Sequence, residues 1–299
     1  MGRILGIGLA AAVVAATACN GGDEAGERST STTVVTGPVA EPSDGGEVRL
    51  VDSGFSVYPG PAEPGGTAEF TSEAVAAGAS FDVASWGVVV ENTSEWVATD
   101  VEVRVELVDA DGAAVATHRY QWPGAETIVL LRPGQRFAMG HTDTLDWPAE
   151  RTTGPPARLE VEIGPTRWFP PDARGVEVPV IVANGDSTAA ELPVVTADEV
   201  TTGVEPSEIA GQDFVVSFRT ESDADRTWPM SATAVFRDAG GRIVGGTSRT
   251  NDYRTAGLPP GRLVSQGDGS GDIRLGLDVP GVDDARSEVS LDFETRSRP

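Results

Sequence analysis

The feature that most constrains what this chain can fold into is that it contains one pattern twice. Asp109 and Asp238, Gly112 and Gly241, and Val115 and Val244 share a single offset of 129. Leu131, Pro133 and Gly134 recur as Leu258, Pro260 and Gly261 at an offset of 127, and Asp146 and Pro148 recur as Asp278 and Pro280 at 132. Ala157-Arg158 and Glu160-Val161 recur as Ala285-Arg286 and Glu288-Val289 at 128. Anchors that keep their order while the offset drifts slightly are what a duplicated unit with loop insertions leaves behind. The architecture must therefore be one modest unit built twice.

Each copy carries the marks of β structure. Val101, Val103, Val105 and Leu107 alternate with Asp100, Glu102, Arg104 and Glu106. A period of two places the apolar set on one face of a strand and the charges on the other. Asp109-Ala110-Asp111-Gly112 then supplies a turn, because Asp bonds its own backbone two residues on and Gly accepts positive φ. A strand over 113–120 completes a hairpin. Another, over 85–91, precedes it and ends in the loop Asn92-Thr93-Ser94-Glu95. Pro133-Gly134 marks a further turn, and Leu159, Val161 and Ile163 alternate in a closing strand. With no amphipathic helix in either copy, these short strands and turns predict an all-β chain of two tandem antiparallel β-sandwiches of about 100 residues each. Pro165, Pro170, Pro171 and Pro179 punctuate the junction, and the polar run Asn184-Gly185-Asp186-Ser187-Thr188 places the boundary between domains at 48–186 and 187–299.

A Val-rich strand, an Asn-containing loop, a strand ending x-Leu-x-Asp, an Asp-Gly turn and then Leu-x-Pro-Gly together resemble FxLYD-type domains. The resemblance covers roughly residues 85–163 and, more weakly, 213–292. In the motif that names those domains, Val105 stands for Phe, Leu107 for Leu, Val108 for Tyr and Asp109 for Asp. In the second copy the same positions are Ala234, Phe236, Arg237 and Asp238. The resemblance implies Ig-like sandwiches of the kind carried by bacterial surface lipoproteins. It implies no catalytic residue.

The N-terminus reads as an export leader over 1–18. Arg3 is followed by an apolar run from Ile4 to Ala16, then by Thr17-Ala18-Cys19. The run is too short to cross a hydrocarbon core, which takes about 20 apolar residues, and it fits the apolar region of a signal peptide. Ala16-Thr17-Ala18 before Cys19 resembles the bacterial lipobox, with Ala16 where that motif prefers Leu. The resemblance implies lipidation of Cys19, the one cysteine of the chain. Two acyl chains hold a protein stably where one is marginal. An acylated Cys19 leaves no thiol for a disulfide, a zinc site or a nucleophile. Residues 20 to about 47 are rich in Gly, Ser, Thr, Pro and acid and lack aromatics. Such a segment cannot offset the entropy of ordering and reads as a disordered linker, with a reach on the order of 30 Å. The domains expected are thus 1–18 leader, 19–47 lipidated Cys and linker, and the two sandwiches. The location expected is the extracytoplasmic face of a membrane.

Charge narrows the partners. Acids outnumber bases 46 to 22, giving a net charge of −24. Nucleic-acid binding draws on clustered cations, and none are clustered here, so no nucleic-acid partner is expected. Chemistry-bearing motifs dissolve on inspection. Counting from Asp109 as the first position of a calcium loop, the sixth and twelfth positions hold Ala114 and Tyr120 rather than Gly and Glu. Counting from Asp268 they hold Ile273 and Val279. Met139 and His141 make a poor copper pair, His118 is the only other histidine, and around Ser270 the Gly-x-Ser-x-Gly elbow is absent, with Asp268 at its first Gly position. No catalytic residue, metal or cofactor is expected.

Tryptophan is distributed unevenly. Trp86, Trp96, Trp122, Trp147 and Trp168 lie in the first copy, against Trp228 alone in the second. Trp86 reads as core. Trp96, Trp122 and Trp147 fall near turns and form a candidate binding surface, since Trp dominates interface hot spots, although Trp also covers core edges. The function expected is a non-enzymatic lipoprotein that displays two β modules for protein contact or envelope assembly. A glycan or wall-fragment binder is the alternative, and a hydrolase a more remote one.

Overall fold

Alternation becomes pairing along most of the chain. The computed structural model describes residues 45–59, 82–115, 124–145, 153–173, 176–178, 187–207, 211–223, 228–247, 263–265, 269–275 and 279–293. In chain order the first half holds β1 (Val48–Pro59), β2 (Asp82–Asn92), β3 (Val97–Val108), β4 (Gly124–Leu131), β5 (Arg136–Thr144), β6 (Arg158–Ile163), β7 (Arg167–Phe169) and β8 (Glu177–Val178). The second holds β9 (Ser187–Thr188), β10 (Val195–Ser207), β11 (Gly211–Ser222), β12 (Trp228–Arg237), β13 (Ile243–Thr247), β14 (Leu263–Ser265), β15 (Gly269–Leu275) and β16 (Glu288–Phe293). Among the described residues the only helical elements are two single 3₁₀ turns, Ala189–Glu191 and Asp284–Arg286. The fold is all-β, as the alternation predicted.

The first half forms a sheet β1-β2-β5 and a second sheet in which β3 carries β4, β6 and β7. The second half forms β10-β11-β15 and a sheet in which β12 carries β13, β14 and β16. All of these pairings are antiparallel. The central strands correspond in pairs, β2 with β11 and β3 with β12. The hairpin β8-β9 joins the halves, with Glu177 opposite Thr188, so the boundary expected at 186/187 lies between its two strands.

The repeat holds down to single hydrogen bonds. Val108 bridges Ala114, and at the equivalent place in the second half Arg237 pairs with Ile243. Asp109 N–H donates to the Ala113 carbonyl at 2.9 Å, and Asp238 N–H donates to the Arg242 carbonyl at the same distance. Gly112 (φ 85°) and Gly241 (φ 83°) take the left-handed conformation that closes each turn. The part of the expected strand 113–120 beyond residue 115 lies outside the described residues.

Each half encloses a core between its two sheets, and the second core also takes in Val129 and Leu130 of β4 from the first half. In the first, Trp86, Val88 and Val90 of β2 meet Val101, Val103, Val105 and Leu107 of β3. Those four β3 positions are buried while Arg104 between them is exposed, so the alternation is realised as predicted. In the second, Phe214, Val216 and Phe218 of β11 meet Met230, Ala232, Ala234 and Phe236 of β12. Phe214 and Phe236 pack edge to face, 5.4 Å between centroids and 83° between planes.

A third layer of contact lies between the halves. The outward face of β2 and β5 meets the outward face of β12 and β13, with Val89 and Ala138 packed on Val235 and Ile243. All described residues belong to one compact unit. The approach is close because glycine lines it. A Cβ on Gly140 would sit 2.6 Å from Gly246 Cα, and one on Gly87 would sit 2.7 Å from the Gly245 carbonyl oxygen. Hydroxyl groups satisfy the backbone there. Gly246 N–H donates to Ser85 Oγ at 3.0 Å, and Thr142 Oγ1 donates to the Gly246 carbonyl at 2.6 Å. Ala138 N–H donates to Ser290 Oγ at 2.8 Å, and Gly140 N–H to Thr233 Oγ1 at 3.3 Å.

Candidate functional site

The residues singled out from sequence are placed as follows. Cys19, the leader and residues 19–44 of the linker lie outside the described residues, as do Trp122, Trp147 and His118. Trp96 is half-buried and packs against the first core. Its surroundings are built by Asn92, which is fully buried. Asn92 Nδ2 donates to the carbonyls of Trp96 (2.6 Å) and Leu131 (2.9 Å). Its Oδ1 accepts from Ser94 N–H (3.1 Å) and Ser94 Oγ (2.7 Å). Trp96 N–H in turn donates to Ser94 Oγ at 3.1 Å. The loop that presents Trp96 is thus fixed by a buried amide. Trp86 is buried as expected, beside His141 with ring centroids 6.4 Å apart, and Trp168 is buried as well.

The acidic turns direct their carboxylates at backbone. Asp109 accepts N–H bonds from Asp111, Ala113 and Gly154, each at 2.9 Å. The N–H groups of Ala113 and Gly154 stabilise the ionised form and hold the Asp109 carboxyl below its ordinary range. Asp238 is likewise held low, first by the Arg242 guanidinium that contacts it at 2.6 Å and then by Arg242 N–H. Both turns are therefore hairpin devices, with their oxygens committed to the fold. Met139 is buried in the first core. Among the described residues no three His, Cys, Asp or Glu side chains converge as a metal-binding group.

The densest polar chemistry lies at the contact between halves, which sequence reasoning misses. Arg237, with a side chain only 11% exposed, reaches Asp52 of β1 at 2.5 Å and Glu288 of β16 at 2.8 Å, and donates to the Gly241 carbonyl at 2.9 Å. Burial alone would lower its pKa, but the bonds to the two carboxylates outweigh that and raise it. Arg136 approaches Glu288 from the first half at 3.7 Å. Asp292 of β16, 2% exposed, accepts from Val129 N–H of β4 at 3.3 Å and from its own neighbour Phe293 N–H at 2.9 Å. Arg132 lies where burial depresses its pKa, and donates to the carbonyls of Leu192 (2.7 Å) and Pro193 (3.2 Å) beside the junction. A cavity of about 20 Å³, lined by Glu126, Thr127, Ile128, Phe137, Met139, Gly140 and Thr233, opens at this contact. It has room for about one water molecule. These groups bond one another and hold the halves together.

Among the described residues no helix is long and apolar enough to cross a membrane. In comparisons with family models, curated proteins and solved structures, none matched the chain.

Proposed function

We propose that the chain is a non-enzymatic lipoprotein, anchored through lipid on Cys19 at the extracytoplasmic face of a membrane, that displays its β unit for contact with an envelope protein. The observation that carries the reading is the placing of the single cysteine. Cys19 directly follows an apolar leader and small residues, and the polar segment 20–47 separates it from Val48, where β1 begins. That spacing suits a linker reaching on the order of 30 Å from the anchor. The net charge of −24 would repel anionic headgroups and favour a unit held off the bilayer. The resemblance of both halves to FxLYD-type domains agrees with a surface lipoprotein. Cys19→Ala in the full chain tests it. The variant should leave the washed membrane fraction for the soluble extracytoplasmic fraction, with its thermal unfolding profile unchanged. Retention in washed membranes would refute the anchor.

A further inference from the structure

The contact between the halves has a direction. It joins the outward face of the β2 sheet in the first half to the outward face of the β12 sheet in the second. On the two equivalent faces, Glu102, Arg104 and Glu106 of β3 in the first half and Ser217, Arg219 and Asp272 in the second are exposed or half-buried, while the β4 side of the first face packs Val129 and Leu130 on the second half. The registers Val108↔Ala114 and Arg237↔Ile243 fix the correspondence of β3 with β12 at the offset of the repeat itself. The contact-face residues Ser231, Thr233 and Val235 therefore correspond to Glu102, Arg104 and Glu106. Val235 is fully buried and Thr233 is 5% exposed, whereas Arg104 is exposed and paired with Glu102 at 2.6 Å. The other outward face follows the same rule. In the ladder from β2 to β5, Gly87 lies opposite Gly140. In the ladder from β11 to β15 the matching pair is Ser217 and Asp272, with exposed Arg219 beyond it.

We infer that Glu102, Arg104 and Glu106 are a cap, whose charges stop a second copy of this chain from docking on the first half in the way that sheets dock inside the chain. Burying such charges without new partners costs far more than sheet packing returns. A head-to-tail contact of this kind does not close on itself. Uncapped, it can extend without limit. Terminal units of stacked repeats carry polar outer faces for that reason. The cap explains why duplication kept the strand pattern but changed the outward residues.

Two variants of the full chain test this. Glu102→Ser/Arg104→Thr/Glu106→Val/Arg219→Val/Asp272→Gly places contact-face residues on both outward faces. Thr233→Arg/Val235→Glu places cap residues in the contact. Sedimentation velocity across a hundredfold concentration range, small-angle scattering and thermal unfolding read the outcome. The first variant should unfold like the parent and self-associate as concentration rises, while the parent sediments as one monomeric species. The second should remain monomeric, scatter with a larger radius of gyration, and unfold in two steps. The inference is overturned if the first variant stays monomeric over the whole range, if the parent itself associates through this face, or if the second keeps the parent's radius. Should the second variant fail to fold, the first decides alone, because its five positions are exposed or half-buried on otherwise unchanged strands.

Discussion

Asn92 offers the sharpest test of how the first half is held. Its side chain makes four hydrogen bonds from a fully buried position, two from Nδ2 to the carbonyls of Trp96 and Leu131 and two from Ser94 to Oδ1. Asn92→Ala removes all four. Leu131 is fully buried, so its carbonyl loses a partner that water cannot replace, whereas Trp96 and Ser94 are half-buried and water can reach them. An unmet buried partner costs about 1–3 kcal/mol and each of the three water-replaceable bonds about 0.5 kcal/mol, so the loss should be about 2.5–4.5 kcal/mol. Urea unfolding with linear extrapolation resolves a change of that size. Asn92→Asp keeps the shape but sets an acceptor where the donor was, facing two carbonyl oxygens. The new carboxyl will ionise less readily in the folded chain than at about 3.9 in the unfolded one. A folded pKa above the unfolded value means that the stability is fully present below the unfolded pKa and is lost as pH rises through the folded one. The Asp variant should thus be no more stable than the Ala variant at pH 7 and should recover toward pH 4. A loss below about 1 kcal/mol for Asn92→Ala, or an Asp variant indifferent to pH, would refute the account of this loop.

Gly140→Val should cost at least about 2 kcal/mol, because the added atoms meet Gly246 Cα and the Trp86 carbonyl rather than flexible side-chain ends. Gly203→Ala, where a Cβ meets nothing within 4 Å, should be neutral or mildly stabilising in the same urea titration. Asp109 and Asp238 have depressed folded pKa values, so the stability they add is present above about 3.9 and lost as pH falls through their lowered values. Asp109→Asn/Asp238→Asn should therefore flatten the acid limb of a plot of unfolding midpoint against pH. An unchanged limb would show that other carboxylates govern acid unfolding. Trp96→Ala should lose roughly 1.5–2.5 kcal/mol, about half the usual loss for a buried Trp. Near-native stability, measured calorimetrically, would instead free Trp96 for a binding role.

What is legible in the sequence is whatever is settled within a strand or a turn. Val101 to Leu107 can be assigned a face because alternation is local, and Asp109 and Gly112 can be assigned a turn because a carboxylate and a positive φ act over a single turn of chain. β1 escapes such a reading because it is an edge strand. Its residues are exposed or half-buried along the whole of 48–59, so no strong pattern marks it. Asn92 reads as a loop residue, but the reach of its amide to Leu131, 39 residues away, has no local sign. Trp122 and Trp147 lie outside the described residues, so the candidate surface is represented here by Trp96 alone.

The contact between halves is hidden for a different reason. A duplicated sequence invites the assumption that equivalent residues do equivalent work, and alignment rewards the positions that stayed the same. Those positions build each sandwich. The relation between sandwiches is written in the positions that changed. Along β12 the alternation of charge with apolar residues is gone, and Met230-Ser231-Ala232-Thr233-Ala234-Val235-Phe236 presents small or apolar residues on both faces. β2 does the same with Val88-Val89-Val90, all fully buried. A strand that loses its polar face is a strand covered on both sides. Two such strands in one chain, each in a different copy, have each other as the available cover. The sign is therefore present as a departure from the repeat: where Glu102, Arg104 and Glu106 became Ser231, Thr233 and Val235, one face passed from water to protein.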